Sequence, residues 1–314
     1  MKTGLINKTV IVIFVTVVFY GIIISVSDLE TIKQRIVEVN FWYLPVIVSL
    51  EGLQMLIGAI KYHRLLQRSE IDISFKQSLR LYMIGRFMGI TPGGAGVVIK
   101  SHLLKKYHGI PVSLTFPIII VERWIEVLAV LVLATSLLIW ADIYESKIIL
   151  AIGYLVFFLS LAIIYHKGIY AIFQKLGNKI NYLKKYANKI DESRDSLIRI
   201  TTKKSFAEAF GYSIASKIIQ LGIIYLCFIS VGMNLDVMTA GLIYYTGMIV
   251  GILTLIPGGI IVAETSMIGL LLKSNVGLAI ATLGVLYVRI ITVWGGTIVG
   301  IASSRFVFKE ETTR

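Results

Sequence analysis

Six ionisable residues stand in or beside apolar runs: Arg86, Lys100, Glu122, Arg123, Glu264 and Arg289. A charge at such a place is expensive unless it is paired or faces a polar cavity. The chemistry this set suggests is electrostatic recognition. Arg86, Lys100, Arg123 and Arg289 are suited to a phosphate headgroup, with Glu122 and Glu264 holding the arginines in place. Glu122 and Glu126 are four apart and share a helix face, while Arg123 is offset by one residue. Glu51 is a weaker candidate for the same cavity. The plainer alternative is that these residues pair only to lock helices together, and the sequence leaves it open.

Two chain breaks accompany the charges. Pro92, Gly93, Gly94 and Gly96 interrupt one apolar segment, and Pro257, Gly258 and Gly259 interrupt another. Each break is followed by a polar residue, Lys100 or Glu264, and then by a long span. That span carries an arginine 31 residues after the first proline (Arg123) or 32 after the second (Arg289). Proline removes a backbone donor and glycine permits angles other residues resist, so the breaks leave helix ends with unpaired amides. A helix N-terminus is positive and suits an anion such as phosphate.

Catalytic chemistry is poorly represented. His63, His102, His108 and His166 lie in or near segments read as cytoplasmic, yet they form no metal-spaced cluster with Asp or Glu. No nucleophile–base pairing, Asp-rich phosphate motif or Walker A sequence is evident. The expectation is therefore no catalytic residue, no metal and no cofactor. The single cysteine, Cys227, excludes an intramolecular disulfide and reads as a small buried hydrophobe.

The elements that must position these residues are transmembrane helices. Of 314 residues, 56% are hydrophobic and 16% charged, with a mean hydropathy of +0.82. Soluble domains carry about 25% charged residues. The apolar residues come in blocks: 11–25, 44–60, 112–140, 148–165, 210–231, 242–256 and 278–302. Several approach the ~20 residues that cross the hydrocarbon as a helix, and no alternating barrel strands are seen. The first block follows Lys2 and Lys8 in the manner of a signal peptide, but reads as a retained helix. The net charge of +13 sits in the loops, which points to anionic lipid and topology rather than to nucleic acid.

Basic loops orient the chain. Lys61, Arg64, Arg68, Lys76 and Arg80 place the loop after the second span inside, with both termini inside as well. Lys100, Lys105 and Lys106 want the same side, so the broken segment between the two basic clusters reads as a re-entrant hairpin, 81–104. Residues 167–204 hold ten Lys/Arg against three acidic residues, with apolar residues at helical spacing. They read as an amphipathic helix on the inner leaflet or as a solvated linker. The expectation is one all-α polytopic membrane domain, 1–314, with about six full crossings. A first half, 1–166, and a second half, 207–304 with hairpin 238–273, flank the linker 167–206. The hairpins enter from opposite sides, an inverted-topology repeat. In the second, charge parity alone does not separate a hairpin from two short crossings.

At these residues the chain resembles the flippase-like membrane family named for the transmembrane region of lysylphosphatidylglycerol synthase. The matching features are Pro92-Gly93-Gly94-x-Gly96 with Lys100, Glu122-Arg123, Pro257-Gly258-Gly259 with Glu264, and Arg289. Ile261 stands where the family usually has a further glycine. The resemblance implies a lipid-handling membrane domain that translocates aminoacylated phosphatidylglycerol in some bacteria, with archaeal relatives linked to polyprenyl-phosphate sugar lipids. In bifunctional members a separate soluble domain transfers lysine. The chain ends at Arg314, soon after its last span, so that domain is expected to be missing.

The leading expectation is a plasma-membrane flippase or scramblase acting on an anionic lipid, not an enzyme. The alternatives are a non-transporting partner subunit and an integral-membrane enzyme acting on a lipid phosphate or sugar. Expected partners are membrane lipids, with a homo-oligomer or a lipid-modifying enzyme as further candidates.

Overall fold

The computed structural model describes residues 21, 29–88, 95–141, 143–166, 194–198, 200–254, 259 and 261–296, with side chains 29, 87, 88 and 95–98 left out. The first apolar block apart from residue 21, both termini, the tips of the two breaks (Pro92, Gly93, Gly94, Pro257 and Gly258) and most of the basic linker lie outside these residues. Among the described residues every regular element is helical.

Helix α1 is Leu29–Val37, and α2 is Leu44–Arg68, entered through a 3-10 turn at Phe41–Tyr43. Asn40 caps that turn, accepting from the Trp42 amide, and Pro45 sits in the first turn of α2, where its missing N–H costs nothing. Next come α3 Phe75–Met88, α4 Ala95–His108, α5 Val112–Leu137 and α6 Tyr144–Tyr165. Beyond the linker lie α7 Lys203–Ser230, α8 Val237–Leu253, α9 Val262–Lys273 and α10 Leu278–Arg289. The last helix continues into a π-helical turn at Ile290–Gly295. Thr202 and Asp236 accept from the first-turn amides of α7 and α8.

Among the described residues four helical stretches are long and apolar enough to cross a membrane: Phe41–Arg68, Tyr144–Tyr165, Lys203–Ser230 and Leu278–Gly295. Helix α5 is 26 residues long but carries Glu122, Arg123 and Glu126 mid-way. One boundary differs from the sequence reading. The second span does not stop at Ile60; α2 runs on to Arg68, and Lys61 is buried within it rather than in a cytoplasmic loop. A carboxylate on α5 receives Lys61, and the helix continues past the charge.

The two broken segments form antiparallel helix pairs that open toward opposite ends of the bundle. In the first pair, the aliphatic stem of Lys100 on α4 lies over Gly85 on α3. The outer end of α3 packs by the end of α2, where His63 Nδ1 and Ser78 Oγ are 2.8 Å apart, and Arg68 bridges to Glu208 near the start of α7. In the second pair, Gly247 and Gly251 of α8 pack against Ala263, Met267 and Gly259. Its outer ends lie where α7 finishes, because α8 follows Ser230 after a short loop and the Asn40 amide donates to the Ser230 carbonyl. Lys273, the last residue of α9, pairs with Glu145 at the start of α6.

The second break is tight. Gly259 has φ +62°, and a β-carbon there would lie 3.0 Å from the Gly251 Cα. Ile261 adopts φ +77° and ψ −55°, a γ-turn that is strained for any side chain and most of all for a β-branched one. This is the position where the resemblance leads one to expect glycine.

Two apolar clusters make up the core. One gathers the second half of α5 with α6, the second half of α7, α8, α9 and α10. The other gathers the second half of α2 with α3, α4, the first half of α5 and Leu197, Ile200 and Ala209. The linker therefore rejoins the bundle through Leu197 and Ile200, which are buried.

Candidate functional site

The charged residues lie where the two clusters meet. On α2, Glu51 and Gln54 fall between Ile47 of one cluster and Ala59 of the other. On α7 the polar residues Ser213, Ser216, Lys217 and Gln220 lie between Ala209 of one cluster and Ile223 of the other. On α5, Glu122, Arg123 and Glu126 fall where the cluster holding Val121 and Ile125 gives way to the one that begins at Val130. A polar layer thus crosses the middle of an otherwise apolar bundle.

Two ion pairs in this layer are almost fully buried. Lys100 Nζ meets Glu122 Oε2 at 2.5 Å, with both side chains at most 3% exposed, and Lys100 also lies 4.2 Å from the ring centroid of Tyr62. Arg289 Nε meets Glu264 Oε1 at 2.6 Å, with both side chains at most 2% exposed. The pairs occupy matching places, each joining the helix after a break to the long helix that follows it, 22 and 25 residues apart in sequence. Their charges are exchanged. The first has its cation after the break and its carboxylate on the span; the second has the reverse. Arg289 also points Nη1 toward Met248 Sδ at 3.7 Å, so α8, α9 and α10 are tied together.

The first turn of α9 is where a helix dipole would draw an anion, and the protein supplies its own. Glu264 occupies that turn. Glu264 therefore holds an arginine, as the sequence suggests, whereas Glu122 holds Lys100 rather than Arg123. Arg123 Nη1 turns to Glu126 Oε2 on its own helix at 2.9 Å, and its side chain is half exposed. Glu126 Oε1 accepts from Lys61 Nζ at 2.8 Å, and Lys61 also donates to Ser213 Oγ at 3.2 Å.

Arg86 links the two halves. Its Nη2 meets Glu51 Oε1 at 2.8 Å and the Thr292 carbonyl at 3.4 Å, inside the π-helical turn of the last span. A π turn breaks the regular α-helical pairing and so leaves carbonyls open to outside donors. Gly296 keeps the approach open, since a β-carbon there would lie 3.3 Å from Arg86 Nε.

Of the residues chosen from the sequence, the structure brings together Lys100 with Glu122, and Glu264 with Arg289. It places Arg86 with Glu51 and leaves Arg123 apart from Glu122. Gly96 lies in α4 and Gly259 in the second turn. Sequence reading missed Lys61, Glu126's double partnership, Lys217 and the Gln220–Tyr244 hydrogen bond of 2.9 Å. Lys217 was legible in principle: it stands at the middle of a 28-residue helix whose neighbouring turns are apolar. Among the histidines, His63 is occupied with Ser78 and packs edge-on against Phe75.

Comparison with known proteins agrees with this architecture. A family described as the lysylphosphatidylglycerol synthase TM region matches residues 9–300. Similar curated proteins include a UPF0104 membrane protein of Methanothermobacter thermautotrophicus, 21% identical over 96% of this chain and 92% of that protein. Others come from Pyrococcus horikoshii (22% identical, 93% of this chain, 95% of that protein) and Methanocaldococcus jannaschii (23% identical, 97% and 96%). The chain is a membrane protein belonging to the family of the lysylphosphatidylglycerol synthase transmembrane region.

Proposed function

We propose that the protein is a lipid translocase, a flippase or scramblase that moves an anionic phospholipid or a polyprenyl-phosphate-linked lipid between the leaflets of the cell membrane. The observation that carries this reading is the polar layer, with half-exposed Arg123 at the middle of α5. A guanidinium facing hydrocarbon at mid-span is strongly disfavoured, so its exposed side must open on a polar path. Two helix pairs entering from opposite ends support the reading, because discontinuous helices meeting at the midplane are a common transporter plan. On this view α3–α4 and α8–α9 are re-entrant hairpins. At ~1.5 Å per residue the 12 residues of α9 reach about 18 Å, short of the ~30 Å hydrocarbon core.

The test is dithionite bleaching of vesicles that contain the purified protein and a fluorescent phosphatidylglycerol. Protein-free vesicles bleach only the outer leaflet; active protein should expose nearly all of the lipid. Arg123→Ala should return bleaching toward the protein-free level without lowering the thermal unfolding midpoint. Bleaching held at the outer-leaflet fraction for every anionic lipid tried would refute the proposal.

A further inference from the structure

Three features of the polar layer lie outside its two buried ion pairs. The first is a surplus of positive charge. Lys61 and Arg123 share one carboxylate, Glu126. Lys217 donates to the neutral Gln220 Oε1 at 2.9 Å and, among the described residues, has no carboxylate within ion-pair distance. Its ammonium lies within electrostatic reach of Glu126, Lys61, Arg86 and Arg123. The second is access. Glu126 and Lys217 are only partly buried and the Arg123 side chain is 51% exposed, whereas the Lys100 and Arg289 side chains are at most 3% exposed. A ligand can reach the former cations without breaking a buried pair.

The third is a pair of stranded acceptors. Glu51 Oε2 and Gln54 Oε1, three residues apart on α2, are buried with no hydrogen-bond partner among the described residues. Gln54 Nε2 reaches the Ser216 carbonyl, next to Lys217, at 3.4 Å. Buried acceptors without donors are rare and costly, and two on one helix face call for a donor from outside.

We propose that α2, α5 and α7 form a headgroup site for a phosphate ester whose alcohol carries hydroxyl or ammonium groups. Lys217 and Arg123 take the phosphate oxygens, and Glu51 Oε2 and Gln54 Oε1 accept from the donors of the alcohol. This deepens the translocase reading and rests on it for placing function in the polar layer. It also assigns the buried Lys100–Glu122 and Glu264–Arg289 pairs to holding the helices rather than the ligand.

The experiment measures binding of two lipids to the purified full chain by native mass spectrometry. Phosphatidylglycerol offers a phosphodiester and two hydroxyls; phosphatidylmethanol has the same charge and no donor on its alcohol. The wild type should prefer phosphatidylglycerol. Lys217→Met should weaken both lipids about tenfold, the loss expected for one charge-assisted hydrogen bond. Gln54→Leu should weaken phosphatidylglycerol alone and narrow its advantage over phosphatidylmethanol, with Glu51 Oε2 left as the remaining acceptor. Arg123→Gln, at a half-exposed position, supplies a second charge removal should Lys217→Met fail to fold.

Folded Lys217→Met or Arg123→Gln that binds both lipids like the wild type overturns the site. Equal wild-type affinity for the two lipids overturns the role of Glu51 and Gln54. Competition by inorganic phosphate identifies the source: displacement marks a soluble phosphate ester, and retention of lipid marks a lipid headgroup. Binding that follows these variants without any leaflet exchange would sink the translocase and leave the site standing. Exchange at the wild-type rate in folded Lys217→Met would do the opposite.

Discussion

At the scale of single residues, the two buried ion pairs differ in what each tolerates. Removing one partner of a buried pair leaves an uncompensated charge and costs about 3–5 kcal/mol, while replacing both with apolar residues is often neutral. The cations differ as well. An ammonium left alone can shed its proton, and a guanidinium cannot. Glu264→Gln is therefore expected to destabilise more than Glu122→Gln, because it takes the carboxylate from a guanidinium that cannot deprotonate rather than from an ammonium that can. The double replacement Glu264→Leu with Arg289→Met should recover most of the loss. Thermal unfolding of the detergent-solubilised variants reads the order directly. Equal losses for the two glutamine variants would contradict the assignment of charge states. The sequence made the members of these pairs visible, since each interrupts an apolar run. It did not reveal the partners: Glu122 is adjacent to Arg123, yet successive helix positions point about 100° apart and Lys100 lies on the helix that α5 packs against.

At the scale of elements, the helices were legible wherever apolar blocks were long, and obscure wherever a charge was satisfied by a neighbour. Lys61 illustrates the second case, because Glu126 and Ser213 receive it and α2 continues to Arg68. The π-helical turn at Ile290–Gly295 left no trace in the sequence, and the donor that reaches its Thr292 carbonyl, Arg86 held by Glu51, comes from another part of the chain. Capping, by contrast, was local. Asp236 accepts at 2.9 Å from the amides of Met238 and Thr239. Hydrogen bonding by the Thr239 side chain and by these amides holds its carboxyl below the usual carboxylate range. The folded value is depressed, so the cap's contribution is full above the unfolded pKa of ~3.9 and is lost as pH falls through the folded value. Asp236→Ala should cost about 1 kcal/mol at neutral pH. Asp236→Asn should keep the cap and flatten the acid limb of stability against pH. A wild-type acid limb that survives in Asp236→Asn would assign it to another carboxylate.

At the scale of the whole molecule, what matters is which ends of the helix pairs face which side of the membrane. Antiparallel packing of Gly85 against Lys100, and of Gly251 against Gly259, fixes each pair as a unit with its two outer ends together. The His63–Ser78 contact ties the outer end of the first pair to the end of α2, and the Lys273–Glu145 ion pair ties the outer end of the second to the start of α6, at the opposite end of the bundle. Basic residues marked one of these ends in the sequence. Lys76 and Lys105 flank the first pair, whereas the second has only Asn234, Asp236 and Lys273, too few charges to orient it. Membrane-impermeant maleimide labelling decides the arrangement in a Cys227→Ala background, which removes the one native thiol, itself buried. Single cysteines at Lys76 and Lys105 should react from one side, and those at Asn234 and Lys273 from the other. A cysteine at Thr254, exposed at the inner end of α8, separates a re-entrant pair from two short crossings. If α8 and α9 enter and leave on one side, Thr254→Cys is sealed from the side that labels Lys76. Rapid labelling from that side would mean that the chain has crossed, and that the two pairs are not inverted copies of one plan.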